Sequence, residues 1–272
     1  MIKYINQSML NMAAKCMKQV EYRYIKGIIV PPSAAAHRGT AVHKAAQKDS
    51  EAIRSSQTHL SISDMQDIAS SAFQESLEKN GVYFSNEEAP NSNEVLSKSK
   101  DEALKAAVVY AEHISPKIVS PVSIEYEAVI DLETLSYQLG GTIDLIHLVN
   151  EKHKISDLKT TAKKPDQGVA TSSIQAPFYT LLAEHALGIK TDFDYNYLVI
   201  QKTKQEAVNI PAIITLQSHA NVLNRAHVLE SYLKTGVFMP ADPSSWWCSE
   251  SWCGFWGMCP YGEKQTIQIS TN

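Results

Sequence analysis

The chain has 272 residues, 44% of them hydrophobic, and a formal net charge of -4. That length and apolar content can bury one sizeable core, while the mild overall acidity gives no global electrostatic signature of a nucleic-acid binder. The first fifteen residues place Lys3, Asn6, Gln7 and Asn11 where a secretory leader needs an apolar core, and no apolar run approaches the roughly 20 residues that span a bilayer, so a cytoplasmic location with no membrane contact is expected.

Charge is distributed unevenly. Residues 1–44 carry seven Lys or Arg (Lys3, Lys15, Lys18, Arg23, Lys26, Arg38, Lys44) against the single acid Glu21, whereas residues 49–102 hold eleven acids against four bases. A basic start followed by an acidic segment directs any phosphate backbone toward the first part of the chain, although solvated helix faces account for such runs equally well.

The first half reads as helical. Ser8 is placed to cap a helix with apolar positions at Leu10, Ala13, Ala14, Met17, Val20 and Tyr24, stopped by Gly27. Pro31 and Pro32 mark a linker, and the Ala-rich stretch 33–47 suits a second helix interrupted at Gly39, whose missing side chain admits a close neighbour. Helices are expected near 63–79 and 93–113, with a loop around Pro90. After Pro121 the pattern changes to alternating β-branched and aromatic residues, predicting strands at 122–131, 137–149 and 154–159 joined as a meander. A helix over 173–187 closed by Gly188, a strand over 193–201, and a last long helix over 217–233 closed by Gly236 complete the ordered part. The stretch 240–261 is rich in Trp and Cys and has no period.

Asp157 and Lys159 are two residues apart on a strand and therefore project from one face. A tight turn at Asn150 and Glu151 pairs Val149 with Lys152, and the same register sets Asp144 directly opposite Asp157. Opposed carboxylates among aliphatic neighbours destabilise a sheet, and a divalent cation is the natural compensation. Oxygen ligands suit Mg²⁺ or Mn²⁺, ions that activate water and neutralise charge developing on a phosphoryl group, with Lys159 placed to hold that water. A bare D-x-K is too short to carry this alone. The order of elements strengthens it: GTID on one strand, SDLKT on the next, then a helix presenting Gln175 and Tyr179 on one face.

The series G-x-x-D, D-x-K, Q-x-x-x-Y resembles that of the RecB-like nucleases within the PD-(D/E)XK superfamily, over most of the chain. Upstream, GTAVH resembles the G-x-x-x-H motif of that family, with Gly39 as its glycine. The resemblance implies an α/β, restriction-endonuclease-like fold, with a central mixed sheet flanked by helices. It implies that His43, Asp144, Asp157 and the carbonyl of Leu158 hold the metal, and that Gln175 and Tyr179 support the site and touch the DNA strand. The family often carries a Glu on the strand before G-x-x-D; here Glu125 and Glu127 both occupy that strand, on the face opposite Ile124 and Tyr126.

Cys248, Cys253 and Cys259 cluster near the C-terminus, and Cys16 lies in the first helix. Four cysteines in a reducing compartment are metal ligands or buried thiols rather than disulfides; as a ligand set they serve tetrahedral Zn²⁺ or an iron-sulfur cluster, and spacing does not separate the two. One N-terminal cysteine plus three C-terminal ones is similar to the iron-sulfur nucleases, phage-type, AddB-type or CRISPR-associated, which implies a 4Fe-4S cluster tying the chain ends together. The four residues between Cys248 and Cys253 depart from the two-residue gap common there.

These readings predict one nuclease domain over 1–272: a mainly helical part at 1–120, the catalytic sheet and helices at 121–236, and a cluster-binding tail at 237–272 working with Cys16. The resemblance implies a DNA exonuclease in recombination, repair or end processing, with a single-strand annealing protein as a candidate partner. A structure-specific endonuclease and a non-catalytic DNA-binding scaffold are the alternatives.

Overall fold

A computed structural model describes residues 2–262. Residues 263–272, the end of the expected cluster-binding tail, lie outside the described residues. Helix α1 (Gln7–Lys15) starts two residues earlier than a Ser8 cap predicts, because Asn6 is the cap: its side chain accepts the Met9 amide at 2.8 Å. The helix does not continue to Gly27. It breaks at Cys16, which is extended (φ -164°, ψ 114°), resumes as the short α2 (Met17–Val20), and ends in a π-helical turn, Glu21–Ile25.

Ser33 caps α3 (Ala34–Ser56) through the Ala36 amide, and Ser61 caps α4 (Ile62–Asn80) through the Asp64 amide. Helix α3 passes through Gly39 without interruption, since a single glycine costs a helix only about 1 kcal/mol and the turns on either side are Ala-rich. A Cβ at Gly39 would meet nothing nearer than Thr160 Oγ1 at 4.0 Å, so no neighbouring chain requires this glycine. Pro90 lies in a short 3₁₀ turn, Ala89–Asn91, and α5 (Ser92–His113) follows.

The sheet comprises β1 (Pro121–Ile130), β2 (Leu139–Val149), β3 (Lys152–Thr161), β4 (Asp192–Ile200) and β5 (Gln205–Pro211), in that spatial order. The first three strands form the expected antiparallel meander; β4 runs parallel to β3, and β5 antiparallel to β4. Between β3 and β4 lie α6 (Gln167–Ser172) and α7 (Gln175–Leu187), and α8 (Leu216–Thr235) follows β5 behind a Thr215–Ser218 capping box. Strand β5 is absent from the sequence reading because Gln205, Glu206 and Asn209 dilute its apolar pattern at the sheet edge. The β2–β3 turn has φ of 49° at Asn150 and 64° at Glu151, the hairpin geometry that fixes Val149 opposite Lys152.

Two cores flank the sheet. One packs α1, α7 and α8 against Ile143, Ile146, Ile155, Phe193 and Tyr195; the other packs α3, α4 and α5 against Leu145, Leu158, Leu198 and Ile200. Among the described residues no helix is long and apolar enough to cross a membrane.

Candidate active site

The predicted residues meet where the sheet loosens. Pairing between β2 and β3 runs from Val149↔Lys152 to Ile146↔Ile155 and stops there. Asp144 and Asp157 are in step with that register but lie beyond its last pair. The expected direct opposition is therefore corrected: the strands part before the two carboxylates face each other, which relieves like-charge contact and opens a gap.

An irregularity in β1 and β2 lies at the same level. Ile143 packs into one core and Leu145 into the other, and likewise Tyr126 and Ile124, so both strands switch faces at Asp144 and Glu125. Glu125 carries the strain, with φ of 49° in a non-glycine residue. This corrects the expectation that Ile124 and Tyr126 share a face, and it separates the two glutamates. Glu125 lines the pocket with His43, Asp144 and Asp157, while Glu127 pairs with Lys3 at 2.7 Å and Tyr4 at 3.2 Å on the outside. Strand alternation carries no signal for this, since residues two apart normally point the same way.

Both helical layers reach the gap. From α3, His43 Nδ1 lies 3.2 Å from Asp144 Oδ2. From α7, Gln175 Nε2 donates to Asp157 Oδ1 at 2.8 Å. Lys159 Nζ lies 2.9 Å from Asp157 Oδ2 and donates to Oδ1 at 3.1 Å. Tyr179, one turn after Gln175, packs over Gly141, where a Cβ would stand 3.2 Å from its ring, so this glycine lets α7 approach β2. The site thus collects His43, Glu125, Asp144, Asp157, Lys159, Gln175 and Tyr179, and the Leu158 amide faces the Asp144 carboxylate.

The electrostatics are those of charges confined in a small space. Burial opposes the Asp144 charge, but His43, Lys159 and the Leu158 amide outweigh it and hold its pKa below the usual carboxylate value. Asp157, only 3% exposed, is pushed up to about 6 by burial, with Lys159 opposing and Asp144 reinforcing the rise. His43 is raised: burial disfavours its charge, and the carboxylates of Asp144 and Asp157 reverse that effect. Burial, then the charges of Asp144 and Asp157, drives the Tyr179 hydroxyl upward, so it stays protonated as a donor. Glu125 is raised by partial desolvation and by Asp144.

Asp144 Oδ2 and Asp157 Oδ2 are buried and have no aligned hydrogen-bond donor. Two buried acidic oxygens held only by ion-pair contacts to His43 and Lys159, at the edge of a cavity of about 30 Å³, fit a small hard cation. Among the described residues no three His, Cys, Asp or Glu side chains already converge as a closed metal-binding group, here or at the cysteines.

The cysteines do come together. Cys16, Cys248, Cys253 and Cys259 line one small cavity between the broken N-terminal helix and the tail, and all four are free. Burial, then the neighbouring sulfurs, raises the thiols of Cys248 and Cys253, as expected where several sulfurs share one small pocket. The donor set fits a thiophilic centre. Sequence reading missed Gln19 and Tyr22, which also line this cavity; the one available signal was the three-residue step from Cys16 to Gln19, about one helical turn.

A sequence profile described as the PD-(D/E)XK nuclease superfamily matches residues 4–260. The chain belongs to that superfamily. Its five-stranded mixed sheet between helices is the restriction-endonuclease-like core of PD-(D/E)XK proteins. Among solved structures, a Eubacterium rectale protein described provisionally as an exonuclease shares 14% identity at a TM-score of 0.50, covering 90% of this chain and 87% of that one. A second, SSO0001, shares 18% identity at a TM-score of 0.36, covering 64% and 78%. No match was found among curated proteins.

Proposed function

We propose that this PD-(D/E)XK nuclease is a Mg²⁺- or Mn²⁺-dependent deoxyribonuclease that degrades DNA from its ends. The observation that carries this reading is the pair of buried carboxylate oxygens, Asp144 Oδ2 and Asp157 Oδ2, which make no aligned hydrogen bond and each face a basic group, His43 at 3.2 Å and Lys159 at 2.9 Å. Asp144, Asp157, His43 and the Leu158 carbonyl would hold the ion, with Glu125 at the mouth. A bound ion supplies Lewis-acid stabilisation of the phosphoryl group and a more acidic water. The chain's own groups do the rest. Lys159 orients the attacking water and screens developing charge; Gln175 fixes Asp157 through Oδ1 and leaves Oδ2 available; Tyr179 donates toward the strand.

The exonuclease reading draws on the motif series and agrees in direction with the description of the Eubacterium rectale protein. DNA contact narrows relative to the basic N-terminus as a whole. Lys3 is paired with Glu127, Lys18 and Lys26 with Glu21, and Arg38 with Glu102; of the exposed bases Lys15, Arg23 and Lys44, it is Lys44, next to His43, that acts on Glu125. Lys44 is the cation we assign to the backbone near the cleaved phosphate.

End-labelled linear DNA and a covalently closed circle, each incubated with Mg²⁺, Mn²⁺ and chelator, test the proposal. Loss of the linear substrate with the circle intact is expected. Cleavage of the circle would establish the endonuclease instead, and inert wild-type protein the scaffold. Cleavage left unchanged by Asp157→Ala or Lys159→Ala would overturn the assigned site.

We infer further that the four cysteines hold a 4Fe-4S cluster, with zinc as the alternative, because they line one cavity that joins the chain's two ends. Anaerobic purification should yield coloured protein with iron and sulfide; colourless protein carrying stoichiometric zinc would replace the cluster with zinc. Work beside a single-strand annealing protein in a cytoplasmic recombination pathway remains the proposed setting, tested by co-purification.

A further inference from the structure

The N-terminal segment departs from regular helix twice within ten residues, and both departures face the cysteine cavity. At Cys16 the backbone becomes extended although neither Gly nor Pro is present to break the helix, and its amide still donates to Met12 O at 2.8 Å. Five residues later the chain takes a π-helical turn, an arrangement that is rare and concentrates at functional sites. The break brings Cys16 Sγ within 3.3 Å of the Ala241 amide, which donates to it. On α2, Gln19 Nε2 donates to Cys253 Sγ at 3.4 Å. In the π turn, Tyr22 stacks on Phe255, with ring centroids 5.5 Å apart, and its hydroxyl interacts with the Cys259 sulfur.

A thiol sulfur is a weak acceptor and gives a buried amide little reason to turn toward it, whereas a metal-bound thiolate carries the charge that makes such a bond worthwhile. Outer hydrogen bonds to ligand sulfurs set both the retention and the reduction potential of thiolate centres.

We propose that Gln19, Tyr22 and the Ala241 amide are the positioning donors of this cavity, holding the cysteine sulfurs as thiolates around a bound metal centre and raising its reduction potential. The proposal rests on the reading that the four cysteines bind metal. Gln19 and Tyr22 touch sulfur rather than substrate and take no part in cleavage.

The experiment uses the full-length chain purified anaerobically, as wild type, Gln19→Leu, Gln19→Glu and Tyr22→Phe. Metal and sulfide per chain, the reduction potential, and the rate at which a chelator removes the metal are measured. In Gln19→Leu and Tyr22→Phe a more negative potential, and metal loss several-fold faster than wild type, are expected. Gln19→Glu, of equal length but placing a carboxylate against sulfur, should be more severe than Gln19→Leu; a packing role for Gln19 predicts the reverse order. With zinc bound, the chelator rate alone reads the effect and the same order is expected. Wild-type protein without metal would remove the underlying reading and this inference with it. Metal-loaded wild type with variants identical in potential and chelator rate would overturn this inference alone.

Discussion

Gln175 on α7 and Asp157 on β3 are joined by a 2.8 Å hydrogen bond that locks one carboxylate oxygen and leaves the other without an aligned donor. A neutral amide directed at a metal-binding carboxylate orients it without competing for the ion. Gln175→Ala should therefore lower metal affinity or turnover by about 10- to 100-fold, the usual effect of removing such a partner. Metal-dependent initial rates separate this from a folding defect, and an unchanged Mg²⁺ dependence would remove Gln175 from the site.

Asp157 pairs a stability cost with the metal-holding role proposed for it. Its folded pKa is raised to about 6 from 3.8, so the folded state binds the extra proton, and the stability penalty sets in above pH 3.8 and is complete above about pH 6. Asp157→Asn should thus stabilise the metal-free protein by on the order of 1–3 kcal/mol at pH 8 and give no gain at pH 4. It should also abolish cleavage and the rise in Tm that Mg²⁺ gives the wild type. Thermal melts at both pH values, with and without Mg²⁺, check all three outcomes.

Much of this site is legible in the sequence because its motifs follow backbone periods. Asp157 and Lys159 share a strand face, Gln175 and Tyr179 a helix face, and the Asn150–Glu151 turn fixes the register between β2 and β3. Period does not carry the departures from regularity. The parting of β2 from β3 beyond Ile146↔Ile155, the positive φ of Glu125 and the extended Cys16 arise from long-range packing and charge, which no local pattern encodes. The same limit hid β5, whose edge position permits a polar sequence, and hid the Glu127–Lys3 pair, whose partners are 124 residues apart.

Gly141 tests how closely α7 must approach the sheet. A Cβ there would stand 3.2 Å from the Tyr179 ring and 3.6 Å from Phe178. Gly141→Ala should displace Tyr179 by a few tenths of an ångström and lower turnover while costing only about 1–2 kcal/mol of stability; Gly141→Val, with two further methyl groups, should cost more of both. Wild-type turnover in Gly141→Val would show that the Tyr179 position is irrelevant to the reaction.

His147 provides a test outside the group of residues proposed to hold the metal. It is 4% exposed, its Nε2 lies 3.1 Å from Ser156 Oγ, and its Nδ1 has no partner. Burial first, then the nearby Lys154 charge, depresses its pKa from 6.5 to about 4. Because the folded value is the lower one, the unfolded chain takes up the proton first as pH falls. Stability is therefore full above about pH 6.5 and is lost progressively down to about pH 4, by roughly 3 kcal/mol at most. His147→Leu removes this titration, so chemical denaturation across that range should show a flatter acid limb than wild type whatever the shift in absolute stability. Parallel limbs for the two proteins would mean that His147 is solvated and protonates freely in the folded state.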